Sequence, residues 1–502
     1  MRRVIGTAAL LTVTAVVGCS GSEEPAPEEA SEKDMEDLRV ELREAVKARG
    51  VLRRKMEAEK ARSVLEPLGI KLPTEFSGTR LTTEVSADEA SKLIASHRAD
   101  AKGVTGLRLS YTEAPDPGMT SALDSVRLGD VAFPLDLDGD GVGVWWHDGP
   151  DSHYQSGQCA VGDVTLQDPG ETPREHASWT FCILRAAAPE AHIHVAEPTN
   201  TTCGSRSDVD TFTSPPVYVS TLSDGYQDPL DNDYGTCERN WDNFVEDTRI
   251  AHFALTHNQG SFVRGSAQAY NVMAVGSYND NANPDVNSDF SNWRDPETGA
   301  DKPDIVAPGE DIDIPVSSNQ RNSGTSFSTP LAAGFAASLI EGNTFLQYRP
   351  HLLRATLMAG AVSVDPGISK DGQGRLDFWN SYYNGWYWWH EAPAATVFSG
   401  DFDSDGKPDV GRTFWLEAGR TYTVAIAWLV DGTYVLANNE PNIKVRLRIA
   451  SPTGELWHEY KTRETYQKQT FTTTTTGIYV VTIEQEANPN NDDVAIGMRL
   501  TW

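Results

Sequence analysis

The chain has 502 residues, a formal charge of −30 at pH 7 and a hydrophobic share of 39% that includes 13 tryptophans. That length allows about three domains with at least one full-sized core, and the apolar content excludes a disordered chain. The acidity excludes nucleic acid as a partner, because phosphate binding needs lysine and arginine surfaces.

In chain order, Arg2 and Arg3 precede an apolar run from Val4 to Val17. The run is too short for a transmembrane helix and reads as an export signal over residues 1–18. Val16-Val17-Gly18-Cys19 resembles a bacterial lipobox, which implies lipidation of Cys19 and a cell-envelope lipoprotein at the outer membrane or cell surface; a secreted form is the other expectation. Residues 19–34, rich in Glu, Pro and Ser, read as an acidic tether. Residues 35–125 read as an α+β region. Met35, Leu38, Leu42 and Val46 give helical periodicity, and Leu81 to Val85 and Val104 to Tyr111 flank a helix capped by Ser86 and Glu89.

Residues 126–385 alternate apolar strands with helical patterns, as in an α/β domain with a mainly parallel sheet. Strands are expected at Val142 to Trp146, Ile193 to Val195, Val217 to Val219, His252 to Leu255 and Val272 to Val275. From residue 386 to 502 the pattern turns to period two, for example Tyr422, Val424, Ile426 and Trp428, and predicts a β-sandwich. Besides Cys19 there are Cys159, Cys182, Cys203 and Cys237, an even set that suggests two disulfides with three connectivities open.

The densest chemistry lies in Asn322-Ser323-Gly324-Thr325-Ser326-Phe327-Ser328-Thr329-Pro330, before the apolar run Leu331 to Ile340. Small residues and hydroxyls at a helix start, with Pro330 expected in the first turn, put Ser326 beside free backbone N–H groups and the positive end of a helix dipole. Acyl transfer needs such a hydroxyl beside donors for a developing oxyanion. The stretch resembles the nucleophile motif of subtilisin-like serine proteases (subtilases), whose order of partners is Asp, His, Ser.

Upstream, Gly141 to Gly149 is an apolar strand ending in Asp148, similar to the strand carrying the family's orienting aspartate. His176 to Cys182, followed by Ala188-Pro189-Glu190-Ala191, resembles the family's histidine helix and turn. It departs from that pattern by Ala177, Ser178, Trp179 and Cys182. Asp151, His192 and His194 are the rival candidates for the acid and base. Ile250 to Ser261 ends in Asn258-Gln259-Gly260 and resembles the oxyanion segment, with Thr256-His257 in place of Ala-Gly. Lys302 to Gly309, KPDIVAPG, matches the family nearly residue for residue, and Leu353 to Met358 with Gly372 to Phe378 resembles its closing helix and turn.

The resemblance implies a serine endopeptidase acting on protein or peptide substrates, with Ser326 as nucleophile, His176 as base, Asp148 as its orienter and Asn258 as oxyanion donor. It places Thr221, Leu222 and Ser223 at the substrate-pairing strand. Residues 35–125 become a propeptide-like region and intramolecular inhibitor. No cofactor is needed. Structural calcium is expected at Asp401, Asp403, Asp405 and Asp409, which have the 1, 3, 5, 9 spacing of an EF-type loop with Arg412 where its last ligand belongs; Asp136 to Gly141 reads as an acidic turn. The alternative, motivated by the departures around His176 and Asn258, is an inactive surface lipoprotein of the same fold that binds peptide, protein or glycan.

Overall fold

The computed structural model describes residues 9–15, 80–85, 107–112, 117–148, 154, 159, 164–166, 174–195, 215–223, 234–281, 285–295, 297–314, 320–364, 369–383, 385–401, 407–435, 438–454 and 456–502. The chain divides into two compact units, one of residues 1–114 with 134–136 and one of 115–133 with 137–502. In the first, β1 (Ala9–Ala15) is the middle strand of an antiparallel sheet between β2 (Arg80–Val85) and β3 (Leu107–Thr112). The apolar run read as an export signal therefore contains a strand. The helices expected around 35–52 and 86–97 lie outside the described residues, as does Cys19.

The second unit holds everything else. It begins with α1 (Pro117–Ser125), on the far side of the boundary expected at 125. The reason is packing: Met119, Ala122 and Leu123 are buried in the same core as the central sheet.

That sheet runs in the order β10-β9-β8-β7-β4-β6-β5, with β11 also on β9. Its strands are β4 (Gly143–His147), β5 (Val164–Leu166), β6 (His192–Val195), β7 (Val217–Leu222), β8 (Ala251–Leu255), β9 (Met273–Asn279), β10 (Val286–Asn287) and β11 (Ile305–Pro308). All the pairings are parallel except β10 on β9. Strands β4, β7 and β8 are buried along their whole length, as expected for parallel strands covered on both faces.

The covering helices are α2 (Glu175–Ala187), α3 (Thr236–Thr248), α4 (Thr325–Gly342) and α5 (Pro350–Gly360). Helix α4 is buried from Thr325 to Ile340, and its small residues let α2 approach closely. A Cβ on Gly334 would sit 2.5 Å from Ala187 Cβ. Pro330 is the sixth residue of α4, so it lies in the second turn and not the first, where its missing N–H leaves one helical bond unmade. A two-stranded ribbon, β12 (Ile312–Ile314) and β13 (Gln320–Asn322), precedes α4.

The C-terminal part is a sandwich of two antiparallel sheets. One is ordered β14 (Gly385–Pro393), β21 (Asp493–Thr501), β16 (Thr421–Trp428), β19 (Tyr466–Thr472). The other is ordered β15 (Asp409–Leu416), β20 (Gly477–Ala487), β17 (Lys444–Ala450), β18 (Leu456–Glu459). Period two is explicit in β17, where Val445, Leu447 and Ile449 point inward.

The sandwich packs into the same unit as the α/β part. Helix α5 lies against β16 and β21, and a Cβ on Gly497 would be 2.5 Å from Leu352 Cα. Arg354 of α5 donates to Asp304 Oδ1 (2.7 Å), to Thr465 Oγ1 (2.7 Å) and to the Tyr270 carbonyl. Asp304 also accepts from Lys302 Nζ (2.9 Å) and from Ala274 N–H (2.7 Å). Burial pushes the Asp304 carboxyl up, and Arg354 and Lys302 more than reverse it, holding it below the usual carboxylate range. Within the described residues no helix is long and apolar enough to cross a membrane.

Candidate active site

Three parallel strands deliver their carboxyl ends to one edge of the sheet, the usual place for chemistry in such folds. Asp148 follows β4 directly, Ser223 follows β7, and the loop holding Asn258 follows β8. Ser223 N–H donates to the His147 carbonyl (3.0 Å), locking the ends of β4 and β7 together. The loop before β4 is fixed from α4: Glu341 accepts from the N–H groups of Asp138, Gly139 and Asp140 at 2.7, 2.7 and 3.1 Å. The acidic turn at 136–141 thus presents its backbone donors to a carboxylate.

His176 is the second residue of α2. Its Nδ1 lies 2.8 Å from Asp148 Oδ2, and its Nε2 lies 3.0 Å from Ser326 Oγ. Asp148 is buried, the His176 side chain is 40% exposed, and Ser326 is 5% exposed. His176 therefore faces the solvent side, while the Asp148 carboxylate and the Ser326 hydroxyl sit below it. His192 and His194 are elsewhere, bonded to Thr165 Oγ1 and the Pro215 carbonyl. Asp151 lies outside the described residues.

The departures in the histidine helix have local explanations. Trp179 packs its ring 6.3 Å from Phe327, which lies 5.9 Å from the His176 ring. Cys182 bonds to Cys159, pinning α2 to the segment that follows β4. Cys237, in the first turn of α3, is also disulfide-bonded.

Ser326 is the second residue of α4, after the N-cap Gly324. A Cβ at Gly324 would come within 3.0 Å of Ser326 Oγ and 3.3 Å of Asn258 Nδ2, so a side chain there would crowd both groups. Asn258 Oδ1 accepts from Thr325 N–H (2.8 Å) and Thr325 Oγ1 (2.9 Å). Both bonds identify the oxygen side of the amide and turn Nδ2 toward the gap. A small anionic oxygen there would meet a side-chain donor on one side and a helix N-terminus on the other.

His257, where the resemblance has glycine, keeps a glycine-like left-handed φ of 76° and is buried. Burial, with Arg264 adding to it, lowers its imidazole to about 4, so it is neutral at physiological pH. His147 and His252 are likewise lowered to about 3, by burial first. His252 stacks on Trp241 with centroids 4.0 Å apart and shares a hydrogen bond with Ser220 Oγ.

Thr221 and Leu222 close β7 and are buried together with Ser223. Of the calcium candidates, Asp403 and Asp405 lie outside the described residues, Asp401 is exposed and Asp409 is buried at the start of β15. Among the described residues no cluster of three or more His, Cys, Asp or Glu could hold a metal ion. Sequence reasoning did not reach Glu341 or Asn292, which support the site from a distance in sequence. Asn292 bonds four times to the loop after Asn258.

Residues 189–378 match the family model Peptidase_S8, the subtilase family. Asn258 and Ser326 fall inside the match, and Asp148 and His176 before it. No curated protein matches. Among solved structures, the prenylagaramide maturation protease PagA shares 20% identity, covering 52% of this chain and 97% of that one at a TM-score of 0.41. A lanthipeptide protease shares 16%, covering 53% and 94% at 0.40. The epidermin leader peptide processing serine protease EpiP from Staphylococcus aureus shares 14%, covering 61% and 90% at 0.40.

Proposed function

We infer, from the subtilase-family segment at residues 189–378, that the chain is a serine endopeptidase that hydrolyses peptide bonds with Ser326 as its nucleophile. The observation that carries the reading is the hydrogen-bonded line from Asp148 Oδ2 through both His176 nitrogens to Ser326 Oγ, ending beside the gap at Gly324. Ser326 Oγ attacks the scissile carbonyl while His176 Nε2 takes its proton and returns it to the leaving amine. Asp148 holds the Nδ1–H tautomer and stabilises the imidazolium. The new oxyanion sits in the gap, against Asn258 Nδ2 and the Ser326 N–H. Extended substrate pairs at the end of β7, near Thr221, Leu222 and Ser223, as an added strand. No cofactor enters this chemistry, and calcium at the 401–409 loop would be structural. Export, with acylation at Cys19 and inhibition by residues 35–125, belongs to the same proposal.

The test pairs quenched-peptide hydrolysis with labelling by a fluorophosphonate, using the full chain and Ser326→Ala. The wild type is expected to hydrolyse and to label. The variant should lose both, with kcat down by on the order of 10⁶. A folded wild type that neither labels nor cleaves would replace this reading by the inactive peptide-binding one.

A further inference from the structure

The loop that carries Asn258 needs a support outside itself. Asn258, Gln259, Gly260 and Phe262 are all exposed, on a loop with no regular structure of its own. A donor displaced by about 1 Å can cost on the order of 10² in rate. Thr325 fixes how the Asn258 amide is turned, but nothing in that contact fixes the backbone that carries it.

The backbone is fixed from 290–294. Gly260 N–H donates to the Phe290 carbonyl (2.6 Å), Asn292 N–H to the His257 carbonyl (3.0 Å), Trp293 N–H to the Ser261 carbonyl (2.7 Å) and Val263 N–H to the Arg294 carbonyl (2.8 Å). The loop approaches this segment closely: Gly260 has a left-handed φ of 62°, and a Cβ there would lie 2.7 Å from the Asp289 carbonyl oxygen. The Asn292 side chain fills the centre of this frame. Its Oδ1 accepts from Gln259 N–H (2.7 Å) and Ser261 N–H (3.1 Å), and its Nδ2 donates to Gln259 Oε1 (2.9 Å) and the Phe262 carbonyl (2.6 Å). It is fully buried under a loop that is otherwise open to water. With its own N–H on His257, it grips the residue before Asn258 and the residue after it.

We propose that Asn292 is the positioning residue of the oxyanion site, clamping residues 257–262 so that Asn258 Nδ2 faces the gap between Gly324 and Ser326. The proposal rests on the peptidase reading above. It makes Asn292 act on the reaction only through Asn258, which a merely structural asparagine would not do.

The experiment is a double-mutant cycle in kcat and KM. Asn292→Ala should lower kcat about 10–100-fold with KM held within about threefold, because a misplaced donor is missed in the transition state and not in substrate binding. In an Asn258→Ala background, itself down about 10²–10³, the same change should cost less than about twofold. Folded fraction is normalised by the fluorophosphonate label. Should Asn292→Ala fail to fold, Asn292→Asp carries the cycle, since it keeps shape and the Oδ1 acceptor while turning both Nδ2 donations into repulsions. A full additive loss in the Asn258→Ala background, a loss carried by KM, or an unchanged kcat overturns the proposal while leaving the peptidase reading intact. A wild type that neither cleaves nor labels takes both down together.

Discussion

The edge of the sheet that holds Asp148, His176 and Ser326 and the seam where α5 meets the sandwich are built on opposite principles. At the first, a few side chains at strand and helix ends meet across a cleft, and His176 stays substantially exposed. At the second, Lys302, Asp304, Arg354, Thr465 and Glu464 are shut away from water, each bonded to a partner from another element. On the peptidase reading the first concentrates reactivity and adds little to folding. The second adds cohesion away from that edge, yet it joins Asp304 in the stretch next to α4 to the last third of the chain. If the contrast is real, substitutions at the two places should separate activity from stability cleanly.

The sharpest separation is expected at Asp148→Asn. The amide fills the same buried space but favours the wrong imidazole tautomer, so kcat should fall by about 10⁴. Thermal stability should barely move, since the exchange keeps volume and one hydrogen bond. A loss of stability comparable with the loss of rate would break the comparison by making the cleft part of the framework.

Next in size is Arg354→Met, at the seam. It removes one of two donors to the Tyr270 carbonyl, which keeps Thr465 Oγ1, and the donor to Thr465 Oγ1 itself, and it leaves Asp304 with Lys302 as its cation. Removing one member of a buried ion network costs about 3–5 kcal/mol, to be read by urea denaturation. The kcat per fluorophosphonate-labelled molecule should be that of wild type. Two separated melting transitions, one for the sandwich alone, would show that the seam is a loose junction.

The two regions also differ in how much of them the sequence reveals. Strands β4, β6, β7 and β8 are legible because buried parallel strands need unbroken apolar runs, and the sandwich because its strands alternate strictly. Ser326, Gly324 and Asn258 stand out because a helix N-terminus, a missing Cβ and a turn after a strand each demand few residue types. His257 is less legible, because a left-handed position normally filled by glycine is here held by a buried histidine. The placement of Pro330 also differs, because a buried helix tolerates a proline in its second turn where the first turn is the favoured place. Asn292, Glu341 and Arg354 leave no local signal. Each satisfies backbone or charge brought near only by the completed fold. The sandwich itself is legible as a β-domain, but its incorporation into one unit rests on contacts such as Asn271 to Val430 and Lys461 to Asp301 that no periodicity encodes.

The smallest expected effect is also the most specific to the seam. Glu464 is buried and accepts a hydrogen bond from Asp301 N–H; burial pushes its carboxyl up to about 8, only partly offset by that bond. In the unfolded chain a glutamate titrates near pH ~4.3. The folded chain therefore keeps a proton that the unfolded chain has lost across that window. This contribution is complete below pH ~4.3 and is lost as pH rises through about 8. The buried histidines His147 and His252 act in the other direction, losing stability as pH falls below ~6.5 toward about 3. Between pH 7 and 8 the histidines are mostly neutral in both states. Lys468, which burial lowers to about 8, adds stability as pH rises and opposes Glu464. The Glu464 contribution is therefore read as a difference between wild type and variant. Relative to Glu464→Gln, which keeps an acceptor for Asp301 N–H and cannot ionise, wild-type stability should drop there by about 1 kcal/mol. The ratio of their kcat values should not change with pH, because Glu464 is at the seam and not at the cleft. A difference that stays constant between pH 7 and 8 would show that Glu464 does not titrate there, and a variant whose kcat profile shifts would show that the seam and the cleft are not the separate systems their construction suggests.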